Sequence, residues 1–256
     1  MSILYRSKIN HLLQIWPNGT VALSSWLKEQ EISTQLQERY HKSGWIEPIG
    51  RGAFKRTGDN ISWRGGLYAI QKQVNLPIHV GGLTAIVMQG SGHYIRFKEN
   101  IQLFGDGSST TPLPAWFKNY KWEDNIQFYR TKFLPDKLAL KEYEDKNFSI
   151  TISSLERAIL EALYLAPQYV DIVECYHIME GLVGLRPDIL QELLEKCNSV
   201  KVKRMFLYMA EKTNHAWLQF IDTSNIDLGS GKRSLVKDGF YSTKYKITLP
   251  KELGNI

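Results

Sequence analysis

An α+β fold is predicted, with an N-terminal winged helix-turn-helix followed by a larger mixed, mainly helical C-terminal domain with short strands. Three observations predict it. Short helical segments precede a glycine-centred pair of strands within the first sixty residues; strand-like and helical runs mix through the middle; and helical spacing dominates the last third. The expected domains are 1–60 and 61–256.

Ile9, Leu12, Leu13 and Trp16 recur at i, i+3, i+4 and i+7, which predicts a helix over 8–16. Pro17-Asn18-Gly19 stops it. A second short helix is predicted over 24–30, with Trp26 and Leu27 apolar. Ser33 is a good N-cap and Gly44 a good C′ residue, so a third helix lies between them. The runs 45–49 and 53–56 flank Gly50-Arg51-Gly52, a tight turn between two strands.

Beyond residue 60 a helix is predicted over 62–74, with strand-like runs at 78–80, 93–97, 101–104 and 126–129. The stretch 105–114, rich in glycine and serine, reads as a loop. Ser153-Ser154-Leu155-Glu156 fits a capping box, in which Ser153 and Glu156 satisfy each other's backbone N–H. Pro187 suits the first turn of a helix whose Ile189, Leu190, Leu193 and Leu194 form one apolar face. Near the end, 226–228 and 245–249 read as strands that pair.

The chain has 256 residues, 43% hydrophobic and 23% charged, enough apolar material for a core without disulfides. Its only cysteines, Cys175 and Cys197, lie too far apart and too far from any His cluster to read as a zinc site. No signal-peptide layout opens the chain and no apolar run is long enough to span a bilayer, so a cytoplasmic protein without membrane contact is expected. The formal charge is +6. Residues 1–75 hold ten basic and five acidic side chains, so most of that excess sits in under a third of the chain. Concentrated there, it points to a polyanionic partner.

No catalytic constellation emerges. His79, His93 and His215 are well separated, and none has a second ligand at metal spacing. Gly229-Ser230-Gly231-Lys232-Arg233 resembles a P-loop, but Ile226 stands where the upstream glycine belongs and Arg233 where Ser or Thr belongs. No cofactor, metal or catalytic residue is expected.

The third helix carries the binding expectation. Leu36 and Tyr40 point one way, while Thr34, Gln35, Glu38, His41 and Lys42 occupy the other face, with Arg39 on the flank. These side chains can reach base edges: Gln to adenine, Arg or Lys to guanine, Glu to the cytosine amine. Ser33, Thr34, Gln35, Glu38, Arg39 and Lys42 are therefore candidate DNA-binding residues. Arg51, Lys55 and Arg56 join them where a wing meets phosphate. A second candidate surface lies on the segment 200–212. Val202, Met205, Phe206 and Met209 form its core stripe, while Leu207 and Tyr208 lie opposite beside Arg204, flanked by Lys201 and Lys203. Such a helix is either sandwiched in the core or presents a binding patch.

Several stretches also carry a family resemblance. They are Gly44-Trp45-Ile46 and Gly50-Arg51-Gly52-Ala53-Phe54; Ser62-Trp63; Leu76-Pro77-Ile78-His79-Val80-Gly81-Gly82-Leu83-Thr84-Ala85; and Gly92-His93-Tyr94. Further on come Ser154-Leu155-Glu156-Arg157-Ala158-Ile159-Leu160-Glu161 and Ser199-Val200-Lys201-Val202-Lys203-Arg204-Met205-Phe206-Leu207. His215-Ala216-Trp217 and Leu228-Gly229-Ser230-Gly231-Lys232-Arg233 close the series. In this order the chain resembles the AbiEi antitoxins, partners of nucleotidyltransferase-type toxins in type IV toxin–antitoxin (abortive infection) systems. Ile70 and Ile86 stand where that pattern has leucine, and Gly92 where it has alanine, differences of packing volume only.

The resemblance implies a non-enzymatic, two-domain antitoxin. Its winged helix would bind inverted repeats in double-stranded DNA of its own operon promoter and repress transcription. Its C-terminal domain would counteract the cognate nucleotidyltransferase-type toxin, with Lys201, Lys203, Arg204, Leu207 and Tyr208 as neutralisation candidates. Two alternatives stand beside it. One is a DNA-binding regulator with a ligand-sensing or dimerising C-terminal domain; the other is a nucleotide- or nucleic-acid-processing enzyme around His79, His93 and Tyr94.

Overall fold

The computed structural model describes residues 3–91 and 100–255, so the predicted strand at 93–97, with His93 and Tyr94, lies outside the described residues. Helix α1 (Ile3–Ile15) starts earlier than predicted and buries Ile9 and Leu12, with Trp16 fully buried just past its end. Strand β1 (Ala22–Leu23) follows, too short for any periodicity to announce it. Helices α2 (Ser24–Glu29) and α3 (Thr34–Lys42) lead into strands β2 (Ile46–Gly50) and β3 (Ala53–Arg56). The sheet order is β1-β3-β2, with Ala22 opposite Phe54 and Pro48 opposite Phe54 across the central strand. Pro48 is tolerated because β2 is an edge strand. One apolar cluster, with Leu12, Trp16, Leu27, Leu36, Tyr40 and Ile46 among its members, joins the helices to this sheet. Three helices on a three-stranded sheet make the winged helix-turn-helix.

Helix α4 (Trp63–Lys72) precedes β4 (Ile78–Val80) and α5 (Gly82–Met88). Next come β5 (Asn100–Asp106), α6 (Ala115–Asn119), β6 (Asn125–Thr131), β7 (Leu140–Asp145) and β8 (Phe148–Ser153). The five strands form a sheet of order β6-β5-β4-β8-β7, in which Val80 and Ile152 pair in parallel. The predicted loop at 105–114 is shortened by β5, which runs on to Asp106.

Helices α7 (Leu155–Leu165), α8 (Ile172–Gly181), α9 (Pro187–Lys196) and α10 (Val200–Thr213) complete the helical part, and α7 packs against α5, α8, α9 and α10. A small sheet of order β10-β11-β9 follows: β9 (Arg233–Ser234), β10 (Phe240–Ser242) and β11 (Ile247–Leu249). Two expectations are corrected. Residues 226–228 are not a strand; Ile226 closes a 3-10 turn over Thr223–Asn225 and is buried there. The capping box does not form either. The N-cap of α7 is Ser154, while the Ser153 hydroxyl donates to Glu161 (2.8 Å) and the Glu156 carboxylate accepts from the Arg186 backbone and guanidinium (3.0 Å).

By contact density the chain divides into two units. The first comprises Met1–Ile78, Ser109–Asn125 and Glu142–Thr151, and the second His79–Ser108, Ile126–Lys141 and Ile152–Ile256. The winged helix lies wholly inside the first. No helix among the described residues is long and apolar enough to cross a membrane.

Candidate nucleic-acid interface

Helix α3 owes its start to Ser33, whose hydroxyl accepts from the Leu36 backbone N–H (3.3 Å) and satisfies one of the first-turn donors. It ends at Gly44, whose φ of +71° suits a residue without Cβ. Leu36 and Tyr40 are buried, while Thr34, Gln35, Glu38, Arg39, His41 and Lys42 are exposed, so the polar face is open along its whole length.

Gln37 is the member of this helix that sequence reasoning missed. It is buried, and its amide donates to Ile32 O (2.9 Å) and Ser24 O (3.3 Å) while its carbonyl accepts from Ser24 Oγ (2.7 Å). All three bonds run to α2 or the turn after it, so Gln37 fixes the angle at which α3 leaves that turn. The signal was positional: a glutamine directly beside Leu36 falls on the inward half of the wheel.

On the wing, Arg51 is exposed at the turn and Gly52 takes a φ of +71°. A Cβ at Gly50 would come within 2.8 Å of Trp116 Cβ, so α6 braces the outer strand of the wing closely enough to exclude a side chain there. Lys55 is half-buried, pairs with its cross-strand neighbour Glu47 (3.2 Å) and donates to Asp59 O (3.1 Å). Arg56, expected on the phosphate side, is corrected. Its guanidinium donates to Leu13 O (2.7 Å) and to Asn18 Oδ1, and lies 5.5 Å over the Trp16 ring. Burial lowers its pKa. It stitches β3 to the end of α1 and faces inward.

The candidate patch on α10 is also corrected. Lys203, Arg204, Leu207 and Tyr208 are all buried. Arg204 donates to the carbonyls of Leu228, Gly229, Ser230, Gly231 and Lys246, and the Tyr208 hydroxyl donates to Leu253 O (2.5 Å). Lys201 is half-buried, and its ammonium donates to Tyr164 O (2.6 Å) and Ala166 O (2.5 Å) at the end of α7. Both apolar faces of α10 are covered, the sandwiched alternative for a two-faced helix.

His79 is buried with its Nε2 2.9 Å from Glu161, and His215 hydrogen-bonds Met179 O (2.7 Å). Both are held by the fold. No group of three His, Cys, Asp or Glu able to hold a metal occurs among the described residues.

Comparison with known proteins matches the chain in two consecutive stretches that meet between residues 97 and 98. Residues 5–97 match a family described as transcriptional regulator, AbiEi antitoxin N-terminal domain. Residues 98–250 match one described as transcriptional regulator, AbiEi antitoxin, Type IV TA system. The crystal structure of the RV2827C protein from Mycobacterium tuberculosis is similar, with a TM-score of 0.57 and 11% identity over 96% of this chain and 92% of that one. At that identity the likeness is one of fold. No curated protein sequence matches the chain.

Proposed function

The chain belongs to the AbiEi antitoxin family of type IV toxin–antitoxin transcriptional regulators, a family of regulators and not of enzymes, and from that premise we propose an autorepressor that reads its own promoter through α3 and the wing. The carrying observation is the polar face of α3, capped by Ser33, exposed from Thr34 to Lys42 and adjoined by Arg51 at the wing turn. Thr34, Gln35 and Glu38 face the base edges of an inverted-repeat half-site, while Arg39, Lys42 and Arg51 supply charge near phosphate. Lys55 contributes secondarily, since Glu47 already neutralises it.

Fluorescence anisotropy on the chain's own promoter fragment tests this. Arg51→Ala should weaken binding about equally on all sequences and reduce the salt slope by about one. Gln35→Ala should cost about 1–3 kcal/mol on the operator and little on unrelated DNA. Full operator affinity in both folded variants would refute the assignment.

The second half of the proposal is that residues 61–256 counteract a nucleotidyltransferase-type toxin. Lys201, Lys203, Arg204, Leu207 and Tyr208 then act through the fold they hold together. Cutting at residue 60 would strip 61–78, 109–125 and 142–151 of the rest of their own unit, so point variants of the full chain are the cleaner test. Gln35→Ala and Arg51→Ala should weaken promoter control yet still rescue growth when the toxin is co-expressed. Loss of rescue at equal protein level would place neutralisation in the DNA-reading module instead.

A further inference from the structure

The wing is too small to hold its own shape. Strands β2 and β3 have five and four residues, and a two-stranded hairpin of that size is marginal in water unless something packs against it. We infer that α4 and α6 clamp the two edges of the wing sheet, and that Trp116 is a positioning residue holding Arg51 where it meets phosphate. The inference rests on the wing reading proposed above.

At the β1 edge the clamp is a side-chain amide. Gln73, just past α4, accepts from the Leu23 N–H (2.8 Å) and donates to Val21 O (2.8 Å), which takes the place of a neighbouring strand. At the β2 edge the clamp is α6. A Cβ on Gly50 would fall 2.8 Å from Trp116 Cβ and 3.1 Å from its Cα, and Arg51 is the very next residue. Gly50 has no positive φ, so the glycine there serves close approach and not a turn.

Helix α6 is itself anchored. Trp116 and Phe117 are buried with their rings edge to face at 5.6 Å, and the Phe117 and Trp122 rings lie 5.2 Å apart. The Trp122 indole N–H donates to Phe117 O (2.8 Å) and closes the segment. This aromatic group sits on α4, where a Cβ at Gly66 would come within 2.8 Å of Trp122 and 2.9 Å of Phe117. Both jaws of the clamp therefore lead back to one helix. Contacts this close transmit displacement instead of absorbing it, and a wing held in place before DNA arrives has less freedom to lose on binding.

The consequence can be counted in counterions, since each lost phosphate contact lowers the salt slope of binding by about 0.9. The test uses the full chain on its own promoter fragment. Gly50→Ala drives a methyl group into Trp116, and Trp116→Ala empties the anchor of α6. Each should lower the slope by about one, as Arg51→Ala does, although neither removes a charge. Adding Arg51→Ala to either should lower it no further, whereas Gln35→Ala should still weaken operator binding by its full factor. Trp116→Phe should restore the slope. Hydrogen exchange on the DNA-free wild-type chain, which needs no variant to fold, should show 46–50 and 53–56 already protected. A wild-type slope in folded Gly50→Ala and Trp116→Ala chains would overturn the inference. So would a further drop of about one on adding Arg51→Ala, or a wing unprotected until DNA binds. Those results leave the wing reading standing; an unchanged slope in Arg51→Ala alone would overturn both.

Discussion

Replacing Glu161 with alanine is expected to lower stability by about 3–5 kcal/mol, because it leaves a buried charge without its partner. The Glu161 carboxylate is wholly enclosed. It accepts from the Arg157 guanidinium (2.8 Å), the Ser153 hydroxyl (2.8 Å) and the Gly82 backbone N–H (3.0 Å), and pairs with His79 Nε2 at 2.9 Å. Alanine would orphan four groups from β4, α5, β8 and α7 at once. Burial alone pushes the Glu161 carboxyl up, but the charges of His79 and Arg157 outweigh it and hold it at about 2. Glu156 is held at about 2 in the same way, burial opposing and Arg186 prevailing. With the folded values depressed, this stabilisation is complete above the ordinary carboxylate value and is lost as pH falls from there towards 2. Urea denaturation across that window should show the loss in the wild type and a flatter profile in Glu161→Gln. A Glu161→Ala chain within about 1 kcal/mol of wild type would show the cluster to be energetically idle.

Arg204→Ala is expected to cost about 3 kcal/mol, with the segment 228–231 coming loose. Hydrogen bonds to a charged group are each worth about 1.5–3 kcal/mol and do not add. Five carbonyl oxygens share this guanidinium, at 2.8 to 3.3 Å. Arg204→Lys should recover little, since a single ammonium cannot serve carbonyls spread around a planar fork. Thermal melting gives the first quantity, and limited proteolysis near Gly229–Gly231 the second. An unchanged melt with an uncut loop would mean that the loop holds itself. A loss of toxin rescue in Arg204→Glu would therefore report on folding before it reported on contact.

Much of the winged helix was legible because its signals are local. Ser33 and Gly44 bracket α3, Gly50-Arg51-Gly52 marks the wing, and the spacing of Leu36 and Tyr40 assigns the exposed face. The two-residue β1 was not legible, since it exists only because β3 offers it a partner. Strand β8 did leave a trace: Phe148, Ile150 and Ile152 alternate, a period of two that the helical pattern after them obscured. The inward turn of Arg56 and Arg204 was invisible for another reason. Arg204 is held by backbone carbonyls alone and Arg56 by Leu13 O together with Asn18 Oδ1 and the Trp16 ring, all brought close by the fold, and such pairings leave no mark in a sequence.

That the first unit is assembled from Met1–Ile78, Ser109–Asn125 and Glu142–Thr151 has a consequence for how the protein is made. The wing strands are complete once Arg56 has been translated, but Trp116, which braces Gly50, comes sixty residues later, and the last stretch ends only at Thr151. At about 5–20 residues per second, a ribosome needs roughly 5–20 s to travel from the wing to that point. During this interval the nascent chain carries helix α3 without its finished support. Transcripts broken before codon 151 would yield chains that lack part of this unit, so if the protein represses through its winged helix as proposed, repression would come from finished units and not from fragments.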